Sequence, residues 1–389
     1  MTQPRGDPLH VAIVGAGPAG SAAALALREG GARVTLIDRH SFPRDKLCAG
    51  VVDARGYQEL RAFGLGDEVR PFERVELHAS ERAASIDRPS LDVAGGVISR
   101  RLLDDKLARR AERSGAKLLE GALVSGATRR EDGIELHVEG RDPVRADVVI
   151  AADGAPSAVA RALGVQGPTT SGVGLRALAQ EVRLPAGLWL VVHERIAPGI
   201  GYVVSHGDGA ASLGVLLRHD DSGDARRDPR ALVGRLFGLR VVSGLLSGAR
   251  VGEARAHSLP SAWLPGPFVG DRALFVGDAA SLAGPLPGGV GHALRSGALA
   301  AQAILRAAPK GRFSARALSS YSRSLRGELL ADLEVRHRLA RDLESVSAAR
   351  RVTRVLARSP RLQRAFLAAL AGPRPRLPIR WDFARFLGT

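Results

Sequence analysis

The chain has 389 residues, 45% of them hydrophobic, which is more than one average domain and ample for a sizeable core. Its formal charge is +16, and its one cysteine, Cys48, excludes intrachain disulfides and any cysteine-built zinc or iron–sulfur centre. The longest apolar runs, such as Val11 to Val14 and Val148 to Ala152, are too short to span a bilayer, and Met1 to Asp7 shows no secretory pattern, so the expected compartment is the cytoplasm.

In chain order, His10 to Val14 is an apolar run ending in glycine, Ala16 to Glu29 is rich in alanine and leucine, and Arg33 to Asp38 contains a second apolar run. Strand, helix and strand within about 30 residues make a βαβ unit. Between the first strand and the helix lies Gly15-Ala16-Gly17-Pro18-Ala19-Gly20. Gly15 permits the tight turn, Gly17 lets backbone approach a pyrophosphate, and Gly20 lets helix and strand pack closely. The pyrophosphate then sits at the helix N-terminus, beside Ala19, where free N–H groups and the dipole favour negative charge. Asp38, ending the second strand, is placed to accept from ribose hydroxyls, so the unit binds a dinucleotide.

Ser99 to Ser114 reads as a helix stopped by Gly115, followed by strands around Lys117 to Leu123 and Gly133 to Val138 and a buried strand at Asp147 to Ala152. From about Gly167 to Leu259, short apolar runs alternate with Gly, Pro and Asp clusters, the pattern of a sheet-rich substrate domain. A strand at Ala273 to Val276 precedes a long helix from near Gly291 to about Ala308. Phe313 to Leu370 reads as helices, and the tail with Pro373, Pro375 and Pro378 as irregular.

Two later motifs select a flavin. Val148 to Arg161 is a strand, an Asp153-Gly154 turn and a new helix. Leu274 to Ala280 is a strand ending in Gly277-Asp278-Ala279, which places Asp278 to hold a ribityl chain. Gly284 to Gly291 follows, with Pro285, Gly288, Gly289 and Val290 leading into a helix whose N-terminus faces the isoalloxazine O2 and stabilises charge on reduced flavin.

The order of these three motifs, over most of residues 9 to 305, resembles the FAD-binding fold shared by para-hydroxybenzoate-hydroxylase-like monooxygenases and geranylgeranyl reductases. Asp38 to Gly50 resembles the geranylgeranyl reductase branch, which has a Lys-x-Cys-Gly-Gly segment beside the flavin; here it reads Lys46-Leu47-Cys48-Ala49-Gly50. The resemblance implies FAD contacts at Arg39, Arg44, Lys46, Cys48, Ala49 and Gly50, with Arg44 and Lys46 reaching the pyrophosphate or an anionic substrate head. Ser99 to Asp104 resembles the group's Arg-x-x-Leu/Phe-Asp helix start, which makes Arg100 an FAD contact, and Val124 sits where the group's backbone meets adenine. Two departures stand out. Pro287 replaces Thr in the branch's Pro-Leu-Thr-Gly-Glu-Gly loop, which is one residue shorter here and lacks the Glu. In the branch's Tyr-x-Trp-x-Phe-Pro signature, Ile200 takes the Tyr place and Tyr202 the Trp place, while Val204 and Ser205 replace Phe and Pro. The aromatic wall is therefore mostly lost.

Cys48, Tyr202 and His292 are the candidate catalytic side chains, His292 as a proton donor; His193 and His206 are two further histidines of the substrate domain. The expected fold is α/β: a Rossmann-like FAD-binding domain (1–75, 95–165 and 265–308), an inserted antiparallel β-sheet substrate domain (76–94 and 166–264) and a helical basic C-terminal region (309–389). The expected function is FAD-dependent reduction of carbon–carbon double bonds in a small hydrophobic isoprenoid or natural product. No second glycine motif is present, so NAD(P)H docks transiently or a reduced redox protein supplies electrons. The alternative is a monooxygenase hydroxylating an aromatic or polyketide-like natural product; a third reading, a non-catalytic flavin-binding protein, is opposed by the complete motif set. From Arg350 onward ten arginines face one acid, Asp382, which suits peripheral contact with the inner membrane face. No nucleic-acid module is present.

Overall fold

The computed structural model describes residues 8–165, 172–218, 228–260, 266, 268–286 and 288–372. Pro287, the tail prolines and the tail arginines Arg374, Arg376, Arg380 and Arg385 lie outside the described residues.

The βαβ unit forms as its pattern predicts: strand His10–Val14, helix Pro18–Glu29 and strand Arg33–Ile37. The two strands lie inside a six-stranded sheet ordered Val269–Gly270, Ala273–Phe275, Val148–Ala151, His10–Val14, Arg33–Ile37, Lys117–Leu119. All neighbours are parallel except the first pair. Val11, Ala12, Ile13, Val148, Val149 and Ile150 are fully buried, as strands covered on both faces require. Helices Pro18–Glu29 and Gly289–Ala307 pack together on one face. Every glycine or aspartate motif leaves from a carboxyl end of this sheet, beside the point where strand order reverses at His10–Val14, which is where open α/β sheets bind ligands.

The expected strand from Lys117 to Leu123 is two strands, Lys117–Leu119 and Val124–Arg129. Gly121 takes φ +59° and the Ala122 N–H donates to the Asp38 carbonyl, which turns the chain across the end of the neighbouring strand. Val124–Arg129 then pairs with Ile134–Val138 in a separate three-stranded sheet.

The second large sheet has eight strands. Its path runs from Arg250–Val251 and Arg255–Leu259, both on Gly172–Gln180, through Ala210–Arg218, Ile200–Ser205 and Gly187–Val192 to Arg74–Ala79 and Arg82–Asp87. Pairing is antiparallel apart from Gly187–Val192 with Arg74–Ala79. The period-two pattern separates its faces: Leu188, Leu190 and Val192 join one core with Leu339 and Phe366, whereas Trp189 and Val191 join another with Val233 and Leu236. The second face is covered by helices Pro229–Phe237 and Arg240–Leu245, inside the stretch read as sheet-rich. Asp228 caps the first by accepting from the Ala231 N–H at 3.1 Å. The first face receives helices Ala331–Glu344, Val346–Leu356 and Pro360–Ala371. No described helix is long and apolar enough to cross a membrane.

Candidate active site

A cavity of about 530 Å³ runs from the Gly15 turn to the inner face of the eight-stranded sheet. At its nucleotide end, Gly15 has φ +101°, and a Cβ there would overlap the Ala152 carbonyl, so the turn admits only glycine. A Cβ on Gly17 would point at two guanidinium nitrogens, Arg44 Nη2 at 3.7 Å and Arg100 Nη2 at 3.9 Å. Two arginines and a helix N-terminus thus converge on one open spot, a diphosphate cradle.

The arginines are fixed by a residue to which the sequence reading gave no role. Asp104, fully buried, accepts from Arg100 Nε and Nη2 at 2.7 and 2.8 Å and pairs with Arg44 Nη1 at 3.0 Å. Burial works against the Arg100 charge, but Asp104, with Cys48 beside it, outweighs burial and raises its pKa. Arg44 Nε is buried without a protein partner. Asp38 ends its strand as expected. Its two oxygens accept the Ala16 and His40 N–H groups, each at 2.9 Å, and keep further lone pairs for a ribose. Ala19, Arg39 and Val124 also line this end. Gly20 does not; it packs the helix onto Gly15.

In the middle of the cavity lie Lys46, Cys48, Ala49, Asp153, Gly154, Gly277, Asp278, Gly288, Gly289 and Val290. Lys46 Nζ is 3.9 Å from Asp278 Oδ2. Asp153 accepts from Ser157 Oγ at 2.7 Å and from the Val159 N–H at 3.2 Å, holding the start of helix Ala158–Ala162; burial raises its pKa. Gly50 and Pro285 stand outside the lining. Cys48 is partly exposed and lies close enough to Arg100 to act on its charge. Tyr202 faces the cavity, but its hydroxyl donates to the Leu175 carbonyl at 3.0 Å, and burial, then Cys48, raises its pKa. It serves as a wall.

The structure corrects the reading of His292 as a proton donor. Its ring is fully buried behind the loop, with Nε2 3.1 Å from Asp332 Oδ2. It belongs to a charged cluster that no local pattern announced: Arg336 Nη2 lies 2.6 Å from Asp53 Oδ2 and 3.5 Å from Asp332 Oδ2, all at 2% exposure or less. A Cβ at Gly288, where φ is +139°, would overlap Arg336 Nη1, so this cation lies directly behind the loop that enters helix Gly289–Ala307. His193 lies beside Glu194, off the cavity, and His206 borders Gly50. At the substrate end the sequence reading missed Arg176 and His257, which share the wall with Tyr202, Leu216 and Leu259.

This donor set fits FAD: a diphosphate cradle with a buried, unpartnered arginine nitrogen, a strand-end carboxylate for the ribose and a helix N-terminus at the far end. Comparison with known proteins agrees. The family described as FAD binding domain matches residues 8–230, more than half of the chain. Menaquinone reductase of Mycobacterium tuberculosis is 31% identical over 320 residues, covering 77% of each chain. Digeranylgeranylglycerophospholipid reductase 1 of Methanothermobacter thermautotrophicus is 30% identical over 346 residues, covering 82% of this chain and 83% of the relative. Among solved structures, a geranylgeranyl bacteriochlorophyll reductase-like protein of Thermoplasma acidophilum superposes with a TM-score of 0.79 at 18% identity, covering 95% and 97% of the two chains. A flavin-dependent brominase reaches 0.75, also at 18%, covering 97% and 99%; at such identities the likeness is one of fold. The chain therefore belongs to the FAD-binding oxidoreductases, in the group of the geranylgeranyl reductases.

Proposed function

We propose that this protein reduces carbon–carbon double bonds of a small hydrophobic substrate, isoprenoid or natural product, with electrons from NAD(P)H or a reduced redox protein. The observation that carries the reading is the cavity itself: its cofactor end is polar and cationic, and it continues into a wall of Tyr202, Leu216, Leu259 and Leu286. The names of the relatives, reductases of menaquinone and of a digeranylgeranyl lipid, support the same chemistry. FAD, when bound, supplies hydride. The chain positions and tunes. Arg44 and Arg100 hold the diphosphate, Asp38 the ribose and Asp278 the ribityl chain. The N-terminus of Gly289–Ala307, with Arg336 behind it, favours negative charge at that end of the cavity. Cys48 brings its sulfur to the cavity, while the Tyr202 hydroxyl donates to the Leu175 carbonyl. Leu216, Leu259 and Leu286 give the reacting carbons apolar neighbours, with Arg176 and His257 on the same wall.

Exposed Arg351, Arg354, Arg361 and Arg364 on the last two helices, with Arg358 in the turn between them, suit a cytoplasmic protein that docks peripherally on the anionic inner membrane face, where a lipid substrate would be met. The deciding measurement is stopped-flow oxidation of the anaerobically reduced holoprotein. Accelerated anaerobic reoxidation by prenylated lipids, with no intermediate in air, is the expected result. A long-lived hydroperoxyflavin in air, with no reoxidation by lipid, would replace this reading with the monooxygenase.

A further inference from the structure

Residues 44–49 line the cavity on one side and meet solvent on the other: Asp45 is exposed, while Arg44 and residues 46–49 are half-buried. They run from the diphosphate cradle to Val51, so whatever fills the cavity lies against them. They form neither helix nor strand, and among the described residues their backbone makes no hydrogen bond to other backbone. A stretch tied so loosely opens at little cost unless something else holds it. Two of its side chains reach the nucleotide-binding unit: Arg44 pairs with Asp38 and Asp104, and Lys46 Nζ lies 3.9 Å from Asp278 Oδ2. Its backbone is held from the opposite side, by the eight-stranded sheet. Arg176, on Gly172–Gln180, donates from Nη1 to the Lys46 carbonyl at 3.0 Å. The guanidinium is itself aimed by fully buried Ser212, whose Oγ accepts from Nε at 3.1 Å. Past the far end of the stretch, His206, just after strand Ile200–Ser205 of the same sheet, packs against Gly50, its Cε1 3.2 Å from where a Cβ would stand.

We infer that residues 44–49 form a strap along the bound FAD and that Arg176 fastens it to the substrate sheet. Arg176 is a positioning residue. It acts through the Lys46 carbonyl to hold Lys46 and Cys48 at the middle of the cavity, and it slows the opening through which the cofactor leaves. The two anchorages differ in kind. Arg44 and Lys46 are tied by ion pairs within the nucleotide-binding unit, whereas the backbone that carries them is tied by a strand of the other sheet. Losing a hydrogen bond from a charged donor shifts an opening equilibrium by about tenfold or more, so the single bond at Lys46 is enough to set how long the strap stays closed. Retention of the cofactor thus depends on a residue outside all three flavin motifs, and the fastening is independent of which substrate enters.

The test uses FAD-loaded full-length protein and two rates that involve no turnover. Cys48 is the chain's one cysteine, so the colour released by the aromatic disulfide DTNB reports opening at the strap alone. FAD release is followed as the rise in flavin fluorescence after dilution. Arg176→Met is expected to raise both rates about tenfold or more, and Ser212→Ala, which leaves the guanidinium present but unaimed, to raise both by a smaller factor. Arg176→Lys, whose ammonium can still donate to the Lys46 carbonyl, is expected to recover part of the loss. Leu178→Ala lies two residues along the same strand face and outside the cavity lining; it controls for general loosening of the sheet and is expected to match the native protein. Native labelling and release rates in Arg176→Met would overturn the inference. Faster labelling with unchanged FAD release would also overturn it, since the segment would then open without freeing the cofactor. Equal acceleration by Leu178→Ala would do the same, by making the effect one of the sheet. Should Arg176→Met not fold, Ser212→Ala decides: native values of both rates would overturn the fastening. Neither rate involves substrate, so failure here leaves the reductase reading standing, and failure of that reading leaves the strap.

Discussion

Asp104 is one carboxylate on which two cations depend. With the cofactor absent, Arg44 and Arg100 face each other across the Gly17 turn, and Asp104, joined on the Arg44 side by Asp38 at 3.5 Å, offsets their repulsion. Asp104→Asn is therefore expected to lower apoprotein stability by about 3–5 kcal/mol, the cost of removing one partner of a buried ion pair. The same variant should show a larger rise in melting temperature on adding FAD than the native protein, since the diphosphate restores the missing counter-charge. Thermal unfolding with and without FAD checks both; an unchanged FAD-induced rise would detach Asp104 from the cradle. The Arg100-x-x-Leu103-Asp104 pattern was legible, but only as a family likeness. What Asp104 does depends on Arg44 arriving from a loop far upstream in sequence, and no local pattern carries that encounter. Arg176 and His257 escaped for a related reason: on a strand the facing of a side chain is set by register against neighbours, here Arg176 opposite Gly214 and His257 opposite Gly174.

At the scale of elements, the helix Gly289–Ala307 owes its entry to a residue from outside the nucleotide-binding unit. Arg336, on Ala331–Glu344, pairs with Asp53, which also caps helix Ala54–Ala62 by accepting from the Gly56 N–H at 2.9 Å. Three helices are thereby pinned at one buried point. Arg336→Met should cost about 3–5 kcal/mol by removing the nearest counter-charge of buried Asp53, and adding Asp53→Asn should recover part of it, because an amide retains the cap without the charge. Denaturant unfolding of the two single variants and the double variant gives the coupling; strict additivity would mean that the pair is not the seat of the effect. The starts and stops of the local elements were readable: Ser99 caps Arg100–Arg113 through the Leu102 N–H, and Gly115 at φ +94° ends it. The helix Ala54–Ala62 and the pair Pro229–Phe237 and Arg240–Leu245 were not, because they are short and lie among the glycines and charges of loop-like stretches.

For the whole molecule, the buried titratable groups set the acid limb of stability. Asp332 lies in the Arg336 cluster. Burial opposes its charge, but Arg336, then His292, outweigh burial and hold its pKa at about 2. A depressed acid stabilises the fold above its unfolded pKa, and that contribution fades as pH falls through the folded value, here between about 4 and 2 and worth roughly 2 kcal/mol. His257 and His206 act in a higher window. Burial lowers both pKa values, so below about 6.5 the unfolded chain takes up protons that the fold refuses, and stability declines as pH drops. A two-step decline is the expected result of unfolding midpoints measured from pH 8 to pH 2, with Asp332→Asn shrinking the lower step, to which Glu135, Glu76 and Glu194 also contribute, and His257→Gln part of the upper. A single step would show that these groups are not linked to folding. The α/β class and the flavin motifs were visible in the sequence because each is a short contiguous signal; the parallel register by which Arg74–Ala79 joins the eight-stranded sheet beside Gly187–Val192 is set by a partner more than 100 residues away and has no local signal. The reach of Arg336 to Gly288 also bears on biosynthesis. A ribosome has released every nucleotide-binding motif once Val290 has emerged, yet the cation behind that loop is still being translated. The full brace of the flavin site therefore waits until Arg336 has emerged, and a polypeptide clipped ahead of Ala331 would carry all three flavin motifs without the cation behind the last of them.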